Sequence, residues 1–428
     1  MDYEGTLDQL YRLERIGIKL GLDNIRKLLA LLGDPQRELR AVHVTGTNGK
    51  GSVCAYTASV LRKAGYRVGL YTSPHLVRFN ERIRVDGAPI PDDAVLRLWS
   101  GMQPAIAAMV ADRSIYRPTF FEVTTAMAFE YFAERTVDVA VVEVGMGGRM
   151  DATNIIDGRV SVVTRVGLEH TEHLGRTVDR IAREKSGIIK AISRAVTVEQ
   201  EALPVIEERC RDVHAPLTVV GRDIHVERRS GDLGGQHVRV ESEAGRLDVH
   251  TPLLGSFQVE NVGLAVAACW ELRKAGIAVP DGAIVDGISE TRWPARFQVL
   301  RQHPVVLVDG AHNGPAAEAV WSAYREVFAD RKCLLVTGIL SDKDLRRMAS
   351  ALGPLAARVF ACRPKSHRAY TPEEVASAFR VHAPVAIAPS VASAVDAALA
   401  AATADDVILI TGSIYTAGEA LEHLGAHP

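Results

Sequence analysis

The sequence predicts an α/β protein in two parts, each built on a mainly parallel sheet with helices on both faces. Three observations predict this fold. Short apolar strands alternate with helical patterns along most of the chain, as in parallel sheets that are covered on both faces. A stretch near the middle is rich in alternating strands and glycine turns, which favours a small antiparallel insert. A second strand–helix series starts after Trp293-Pro294-Ala295, so we divide the chain into residues 1–295 and 296–428.

Each element rests on its own local pattern. Leucine and isoleucine recur at helical spacing over residues 5–32, and a loop is predicted at Gly17–Gly21. The strands and helices predicted next are Ala41–Thr45, Ser52–Ala64, Arg67–Tyr71, Phe121–Arg135, Val137–Val144, Val160–Arg165 and Val178–Ile189. The insert is predicted to contain Ala215–Val220, Asp223–Arg228, Gln236–Ser242 and Arg246–Thr251, before a helix at Val259–Lys274. The second series is Val305–Asp309, Pro315–Phe328, Cys333–Gly338, Arg358–Ala361, Val385–Ile387, Ala392–Ala402 and Val407–Gly412.

The composition is that of a soluble globular protein, with 47% hydrophobic and 24% charged residues among 428. A net charge of −2 gives no basic field for nucleic acid. The sequence has no run of 18 apolar residues, and the N-terminus lacks an apolar signal core. Five cysteines without paired spacing predict reduced thiols. We therefore expect a cytoplasmic monomer that binds small molecules, and neither nucleic acid nor a membrane.

The run Val42–Ser52 predicts a strand, a glycine-rich turn and the start of a helix. Glycines let backbone amides approach phosphate, and a helix N-terminus attracts anions. Lys50 can reach the β- and γ-phosphates, and the Ser52 hydroxyl can bind Mg²⁺. The spacing is a variant, since Gly46 and Gly49 enclose only two residues, and an ordinary strand-to-helix turn is the alternative. The flanking strand and helix favour a nucleotide site, and thus a P-loop ATPase type of domain.

Glu143 ends an apolar strand and precedes the glycine-rich turn Val144–Asp151. A carboxylate at the carboxyl end of a parallel strand faces the ligand crevice, and a buried one needs a cation or a partner. Together with Ser52 it could hold Mg²⁺, which prefers oxygen ligands. The alternative is a carboxylate that caps the following glycine turn. We favour the metal, because a bound nucleotide needs a counter-cation.

Two further motifs are ambiguous from the residues alone. His170 and His173 lie in Leu168–Gly175, after a predicted strand, but most single histidines are structural or exposed. Lys185 lies in the charged helical run Arg183–Gly187, for which a solvated charged face is the favoured interpretation.

The second part repeats the pattern of a strand followed by a polar loop, at Asp309–Asn313 and again at Thr411–Tyr415. Both loops should open on one crevice at the strand carboxyl ends, which favours a substrate site over ordinary loop ends. Arg296, at the proposed junction, is equally suited to contact a nucleotide phosphate or to bridge the two parts.

Taken together, these motifs resemble the folylpolyglutamate synthase/dihydrofolate synthase family, relatives of the Mur ligases. The resemblance covers nearly the full length. One departure is Gly314, where the family usually has a proline directly after the His-Asn pair. The motifs that carry the resemblance are Leu13–Leu22, Thr45–Ser52, Tyr71–Arg82, Glu143–Asn154, Glu169–Gly175, Arg183–Gly187, Ala295–Gln298 and Asp309–Asn313. The family implies an ATP-binding domain followed by a smaller Rossmann-like domain.

The resemblance also implies roles for individual residues. For ATP binding it implies Asn48, Gly49, Lys50, Gly51, Ser73, Asn261, Arg296 and Asp309. For Mg²⁺ it implies Ser52, Glu143 and His170, with a carbamylated Lys185 supporting a second ion, and it leaves room for a monovalent cation. For the pteroate or folate it implies Gly17, Ile18, Lys19, Thr119, Phe120, Phe121, Glu122 and Met150. For glutamate it implies Asp309, His312 and Ser413, and as catalytic residues Lys50, His170, Lys185, Asp309 and His312.

These roles predict an ATP-dependent amide ligase. It would add L-glutamate to dihydropteroate, to (tetrahydro)folyl-polyglutamate or to both, through an acyl phosphate, in folate biosynthesis. A related Mur-type ligase with a different carboxylate acceptor would share every ATP residue. A nucleotide-binding switch without ligase chemistry is the other alternative, but it would not need the loops of Asp309 and Ser413.

Overall fold

A computed structural model describes residues 2–17, 19–112 and 116–426, except for the side chain of Arg15. It contains an eight-stranded sheet, a three-stranded sheet and a six-stranded sheet, in that order along the chain. The two larger sheets are dominated by parallel pairs and are covered by helices. The predicted α/β fold class is therefore confirmed.

The eight-stranded sheet has the order β4-β3-β2-β5-β1-β6-β7-β8. Its strands are β1 (Ala41–Thr45), β2 (Val68–Tyr71), β3 (Ile83–Val85), β4 (Ala88–Pro89), β5 (Val139–Glu143), β6 (Gly158–Val163), β7 (Arg194–Val198) and β8 (Leu217–Val220). The six neighbouring strands β2-β5-β1-β6-β7-β8 are all parallel, while β3 and β4 add an antiparallel edge beside β2. The central strands β1 and β5 are buried along their whole length, as their apolar sequences predict.

Helices cover both faces of this sheet. They are α1 (Tyr3–Arg12), α2 (Asp23–Leu31), α3 (Lys50–Lys63), α4 (Asp92–Ala111), α5 (Phe120–Glu134), α6 (Thr171–Leu174), α7 (Val178–Ser186), α8 (Leu203–Asp212), α9 (Ser256–Lys274) and α10 (Asp281–Ser289). Single 3₁₀ turns occur at Leu13–Ile16, Pro35–Glu38, Phe79–Arg82 and Ala152–Ile155. One apolar core lies under α3, α9 and α10, and a second lies under α1, α2, α4 and α5.

Helix α4 is the one helix of the described chain whose length and hydropathy would suffice to cross a membrane. It contacts α1, α2 and α5. Its residues Leu98, Met102 and Ile106 are buried in the core that these helices share. This packing is that of a core helix.

The predicted insert is smaller than expected. A three-stranded antiparallel sheet is formed by β9 (His225–Asp232), β10 (Gly235–Ser242) and β11 (Gly245–Thr251). The prediction that Ala215–Val220 belongs to the insert was wrong, because β8 pairs in parallel with β7 at the edge of the large sheet. A short β-rich segment has the same local pattern in either sheet, so only its long-range pairing decides.

The C-terminal part has its own sheet, which starts with β12 and has the order β12-β13-β17-β14-β15-β16. The strands are β12 (Gln298–Gln302), β13 (Val305–Val308), β14 (Cys333–Thr337), β15 (Ala356–Ala361), β16 (Val385–Ile387) and β17 (Val407–Thr411). All are parallel except β12. The helices are α11 (Gly314–Phe328), α12 (Leu345–Leu352), α13 (Pro372–Phe379), α14 (Val391–Ala401) and α15 (Ile414–His423), with a 3₁₀ turn at Gly353–Leu355.

The N-terminal part, which ends with α10, meets the C-terminal part at two places. At one, Leu254 and Phe257 pack into the C-terminal core beneath α11. At the other, Leu76 packs against the core cluster that includes the inner face of α15. The carboxyl ends of the central strands of both large sheets open on the space between these two contacts. The five cysteines are buried and unpaired in the interior of the two parts.

Candidate active site

A cavity of about 720 Å³ lies between the two parts of the protein. This volume suits a nucleotide-sized ligand. The predicted site residues that line the cavity are Asn48, Gly49, Lys50, Gly51, Ser52, Ser73, Glu143, His170, Asn261, Arg296, Asp309 and His312. Residues from strand ends in both sheets therefore share one crevice, as expected for ligand sites of α/β proteins.

The glycine turn after β1 leaves the start of α3 accessible to the crevice. Gly49 is the N-cap residue with φ of +92°, a conformation that suits glycine, and no described side chain caps the helix. The first-turn amides of a helix have no partner within the helix, so they are free to bind an anion. The Lys50 Nζ donates to the carbonyls of Gly46 and Thr47, each at 3.0 Å. Its charge thus sits at the turn where phosphate would bind.

Helix α9 braces this turn from the opposite side. The Gln258 Nε2 donates to the Ser52 Oγ at 3.2 Å, and the Asn261 Nδ2 donates to the Gln258 Oε1 at 3.0 Å. A Cβ atom at Gly49 would lie 2.5 Å from the Asn261 Oδ1. Gln258 was not predicted as a site residue. Its position one helical turn before Asn261 is the signal that could have identified it.

Glu143 is held at the end of β5 with 6% of its surface exposed. Its Oε2 accepts the Ser73 amide at 3.1 Å. Burial raises the pKa of the Glu143 carboxyl, and the Lys50 charge opposes this shift. The glycine turn that follows is held by Asp151, whose Oδ2 accepts the Met146 amide at 2.8 Å. The alternative role of Glu143, capping that turn, is therefore filled by another carboxylate.

The donor atoms around the turn suit Mg²⁺. Ser52 offers a hydroxyl, Glu143 a buried carboxylate whose charge would be compensated by a cation, and His170 an imidazole in the same cavity. Burial lowers the pKa of His170, so its ring is neutral and able to bind a metal. The described residues contain no cluster of three or more His, Cys, Asp or Glu with metal-site geometry. A cation here would share its coordination with phosphate and water, as Mg²⁺ commonly does.

Lys185 is buried, with 1% of its side chain exposed. Its Nζ donates to the Glu169 carboxylate at 2.5 Å and to the Gly46 carbonyl at 2.7 Å. Burial lowers the pKa of Lys185 to about 8. The interpretation of this motif as a solvated charged face was wrong for Lys185, because α7 turns this residue toward the phosphate turn. Glu169 and His170 line the cavity, whereas His173 does not. His170 is therefore the histidine of the pair that faces the cavity.

The C-terminal part contributes Asp309, His312 and Arg296 to the opposite wall. The two Asp309 carboxylate oxygens accept the Phe297 and Ala311 amides, each at 2.7 Å. Burial raises the pKa of Asp309, opposed by the Arg296 charge. Burial lowers the pKa of His312 to about 4, and its Nδ1 lies 3.0 Å from the Gly310 carbonyl. As Nδ1 donates there, Nε2 is left as an acceptor.

Ser413 does not line the cavity. It is 0% exposed, and its Oγ accepts the Thr416 amide at 3.0 Å as the N-cap of α15. Its neighbour Ile414 lines the cavity instead. The strand–loop–helix pattern thus located the crevice but did not distinguish a capping serine from a ligand.

The residues predicted for the pteroate lie beside the crevice, and none of those described lines its cavity. Thr119 and Glu122 cap α5 reciprocally. The Phe120 ring stacks on Tyr11 at 5.7 Å, with the Arg82 guanidinium 5.2 Å from its centroid. The remaining predicted members also have local contacts: Phe121 abuts Gly145, Met150 accepts the Gly21 amide, Gly17 ends a 3₁₀ turn, and Lys19 covers the Tyr116 ring. Ile18 lies outside the described residues.

Comparison with known proteins agrees with this geometry. Residues 92–269 match the Mur ligase middle domain, and residues 295–414 match the Mur ligase glutamate ligase domain. A Haloferax volcanii protein named probable bifunctional folylpolyglutamate synthase/dihydropteroate synthase is 40% identical over 98% of this chain. The chain spans 50% of that protein's length.

Two other similar proteins match over most of their own length. The Bacillus subtilis dihydrofolate synthase/folylpolyglutamate synthase is 37% identical over 83% of both chains. A solved structure described as Escherichia coli FolC in complex with DHPP and ADP has a TM-score of 0.88 and 33% identity, covering 98% of each chain. These matches, together with the crevice that both parts line, show that the chain belongs to the folylpolyglutamate synthase/dihydrofolate synthase family of ATP-dependent ligases.

Proposed function

We propose that this protein uses ATP to join the α-amino group of L-glutamate to the carboxylate of dihydropteroate, of a folyl-polyglutamate, or of both. One observation carries the proposal: a phosphate-binding turn and a buried carboxylate from one part face Asp309, His312 and Arg296 from the other across a single cavity. A simple nucleotide switch would not need this second wall.

In the first step the acceptor carboxylate attacks the γ-phosphoryl group of ATP, and ADP leaves. Lys50 and the amides at the start of α3 stabilise the negative charge that develops on the phosphoryl oxygens. Mg²⁺ held by Ser52, Glu143 and His170 would neutralise phosphate charge when bound. Gln258 orients the Ser52 hydroxyl, and the Ser73 amide orients the Glu143 carboxylate. The product is an acyl phosphate, an activated mixed anhydride.

In the second step the glutamate amine attacks the acyl carbon, the amide bond forms and phosphate leaves. The amine must lose a proton, and the free Nε2 of neutral His312 is placed to accept it in the crevice wall. Asp309 fixes the loop that carries His312, since its two oxygens hold the Phe297 and Ala311 amides. Closure of the two walls on the intermediate would exclude water, which would otherwise hydrolyse the acyl phosphate.

An aromatic cluster in the N-terminal part supports the proposed identity of the acceptor. Tyr11, Phe79 and Phe120 pack together, with the Arg82 charge over one ring. Phe79 and Phe120 are 1% and 8% exposed, so these two rings belong to the core beside the crevice, and Tyr11 is the partly exposed ring on which a flat pterin–aminobenzoate ligand would stack. The Haloferax volcanii relative is named for a dihydropteroate synthase as well. Its name thus joins this family to the formation of dihydropteroate, the acceptor that we propose.

We propose further that Lys185 reacts with CO₂ to give a carbamate, with loss of one proton. The reaction needs the neutral amine, and burial lowers the pKa of Lys185 to about 8, which increases the neutral fraction near neutral pH. The carbamate would place a negative charge beside Glu169, so a bound cation would be required there. Intact-mass measurement of protein held with bicarbonate should detect the adduct at pH 8.5 more than at pH 6.5, and a Lys185→Arg variant should show none. No pH-dependent adduct in the wild type would contradict this proposal.

The central test is phosphate release with Mg-ATP and L-glutamate, adding dihydropteroate or tetrahydrofolate in separate reactions. Release with both acceptors would indicate a bifunctional enzyme, and release with one would assign a single activity. ATP binding without release in either reaction would favour a Mur-type ligase with another acceptor or a nucleotide-binding switch without ligase chemistry. We also propose that the protein acts as a soluble cytoplasmic monomer. Size-exclusion chromatography with light scattering would test its oligomeric state.

A further inference from the structure

The loop after β2 joins the two parts of the protein in a way that the reaction scheme has not used. Leu76, in this loop, packs its side chain against the core cluster of the C-terminal part that contains Ala417, Ala420 and Leu421 of α15. The Leu76 carbonyl meets α15 at Gly418, which is buried. A Cβ atom built at Gly418 would lie 2.1 Å from the Leu76 oxygen. Only a glycine lets the helix backbone approach this closely.

The same loop is rigid on its other side. The Glu81 carboxylate accepts the amides of Leu76, Val77 and Arg78 at 2.8, 2.9 and 2.6 Å. Glu81 is 8% exposed, so these bonds are shielded from water. A displacement of Leu76 would therefore strain these three hydrogen bonds.

The loop also reaches the reacting centre. Three residues before Leu76, the Ser73 amide donates to Glu143, and Ser73, Leu76 and Glu81 all line the cavity. At the other end of the contact, α15 begins at Ile414, which lines the cavity from the C-terminal side. The contact thus lies between the carboxylate of one wall and the helix of the other.

We propose that the contact of Leu76 with Gly418 is a latch that sets the distance between the two walls, with Gly418 and Leu76 as positioning residues. This inference rests on the proposed ligase function. Without the latch, the C-terminal wall would lie farther from the acyl phosphate. Glutamate would then attack more slowly and water more often, giving free acceptor acid and phosphate with no amide.

The test compares Gly418→Ala and Leu76→Ala in the full chain. Gly418→Ala pushes α15 away, and Leu76→Ala removes the packing without adding an atom. The matched control is Gly101→Ala, which lies in helix α4, is exposed and has no atom within 4 Å of a new Cβ. Circular dichroism and thermal unfolding would establish that each variant is folded.

The decisive readout is the number of phosphates released per amide formed. Wild type and the control should give a ratio near one, since each amide consumes one acyl phosphate. Both latch variants should raise this ratio and lower the amide-forming kcat by about 10- to 100-fold, the range expected for misplacement of reacting groups. The double variant should show less than the product of the two single effects, because both changes disturb the same seam between Leu76 and α15 and neighbouring changes are not additive. A simple loss of folded protein would lower both products together and leave the ratio unchanged.

A folded Gly418→Ala variant with wild-type kcat and an unchanged ratio would overturn the latch. If that variant does not fold, Leu76→Ala decides in the same way. A wild-type protein that forms no amide with any acceptor overturns the proposed function and this inference together. An active wild type with unaffected variants overturns only the latch.

Discussion

The turn that follows β1 and the turn that follows β17 share a sequence pattern but differ in what they offer a ligand. Each has an apolar strand, then glycine, a polar residue and a helix start. At α3 the N-cap is Gly49, and no described side chain caps the helix. At α15 the N-cap is Ser413, whose own hydroxyl accepts the Thr416 amide. The first helix start is thus available to phosphate, whereas the second is already satisfied.

This difference shows that a strand–glycine–helix pattern locates a crevice without identifying the ligand group. The deciding property is whether the helix N-terminus is capped by its own chain. At α11 the N-cap Asn313 likewise accepts the Ala316 amide. Of these three turns at the crevice, the first alone has a glycine N-cap without a described side-chain cap.

The strongest test of the comparison is Lys50→Ala. This change removes the cation at the uncapped turn, so we expect phosphate release to fall by at least about 100-fold, as when a charge-stabilising donor is lost. Lys63→Ala, at the far end of the same helix, should keep full activity, because Lys63 pairs with Glu290 at the surface. Wild-type turnover by Lys50→Ala would refute the phosphate-turn assignment.

Glu143→Gln should separate activity from stability. Burial raises the pKa of Glu143, so the folded state binds a proton more tightly than the unfolded state does. Stability therefore falls as the pH rises from the pKa of the unfolded state through the raised pKa of the folded state. At neutral pH the substitution should therefore raise the free energy of unfolding by about 1–3 kcal/mol, and the melting temperature with it. Activity should fall about 100-fold with a higher Mg²⁺ requirement, because a ligand is lost. The comparison needs thermal unfolding and a Mg²⁺ titration of turnover, and a destabilised variant would contradict the assignment of a desolvated carboxylate.

Ser413→Ala gives the smallest expected effect and examines the other turn. Loss of the N-cap should cost about 1 kcal/mol of stability, while the KM for glutamate stays near the wild-type value. Ser413→Asn should recover most of the stability, since asparagine also caps helices. A large rise in the KM for glutamate in both variants would instead restore the role implied by the family resemblance.

The sequence predicted the nucleotide side of the molecule well and the rest less completely. Strand β1 was predicted with its observed bounds, because its β-branched and apolar residues run directly into a glycine-rich turn, although the buried His43 interrupts the apolar run. The residues alone did not predict the burial of Lys185, since its helix is charged and its partners Gly46 and Glu169 lie in other loops. Helix α4 and strand β7 were not predicted, and Leu217–Val220 was assigned to the wrong sheet. Sheet membership depends on partners distant in sequence, which local patterns do not encode. The division of the chain at residue 295 and the individual site roles stay predictions.

The buried cysteines have a practical consequence for measuring motion in this protein. Burial raises the pKa of each of the five thiols, so little reactive thiolate forms at neutral pH. The native cysteines should therefore react little with maleimide reagents or spin labels. Cysteines introduced at Val110 and Val381, which are 54% and 81% exposed, would label selectively, one in each part of the protein. The distance between those probes, followed as nucleotide and acceptor are added, would turn the arrangement of the two walls into a spectroscopic signal.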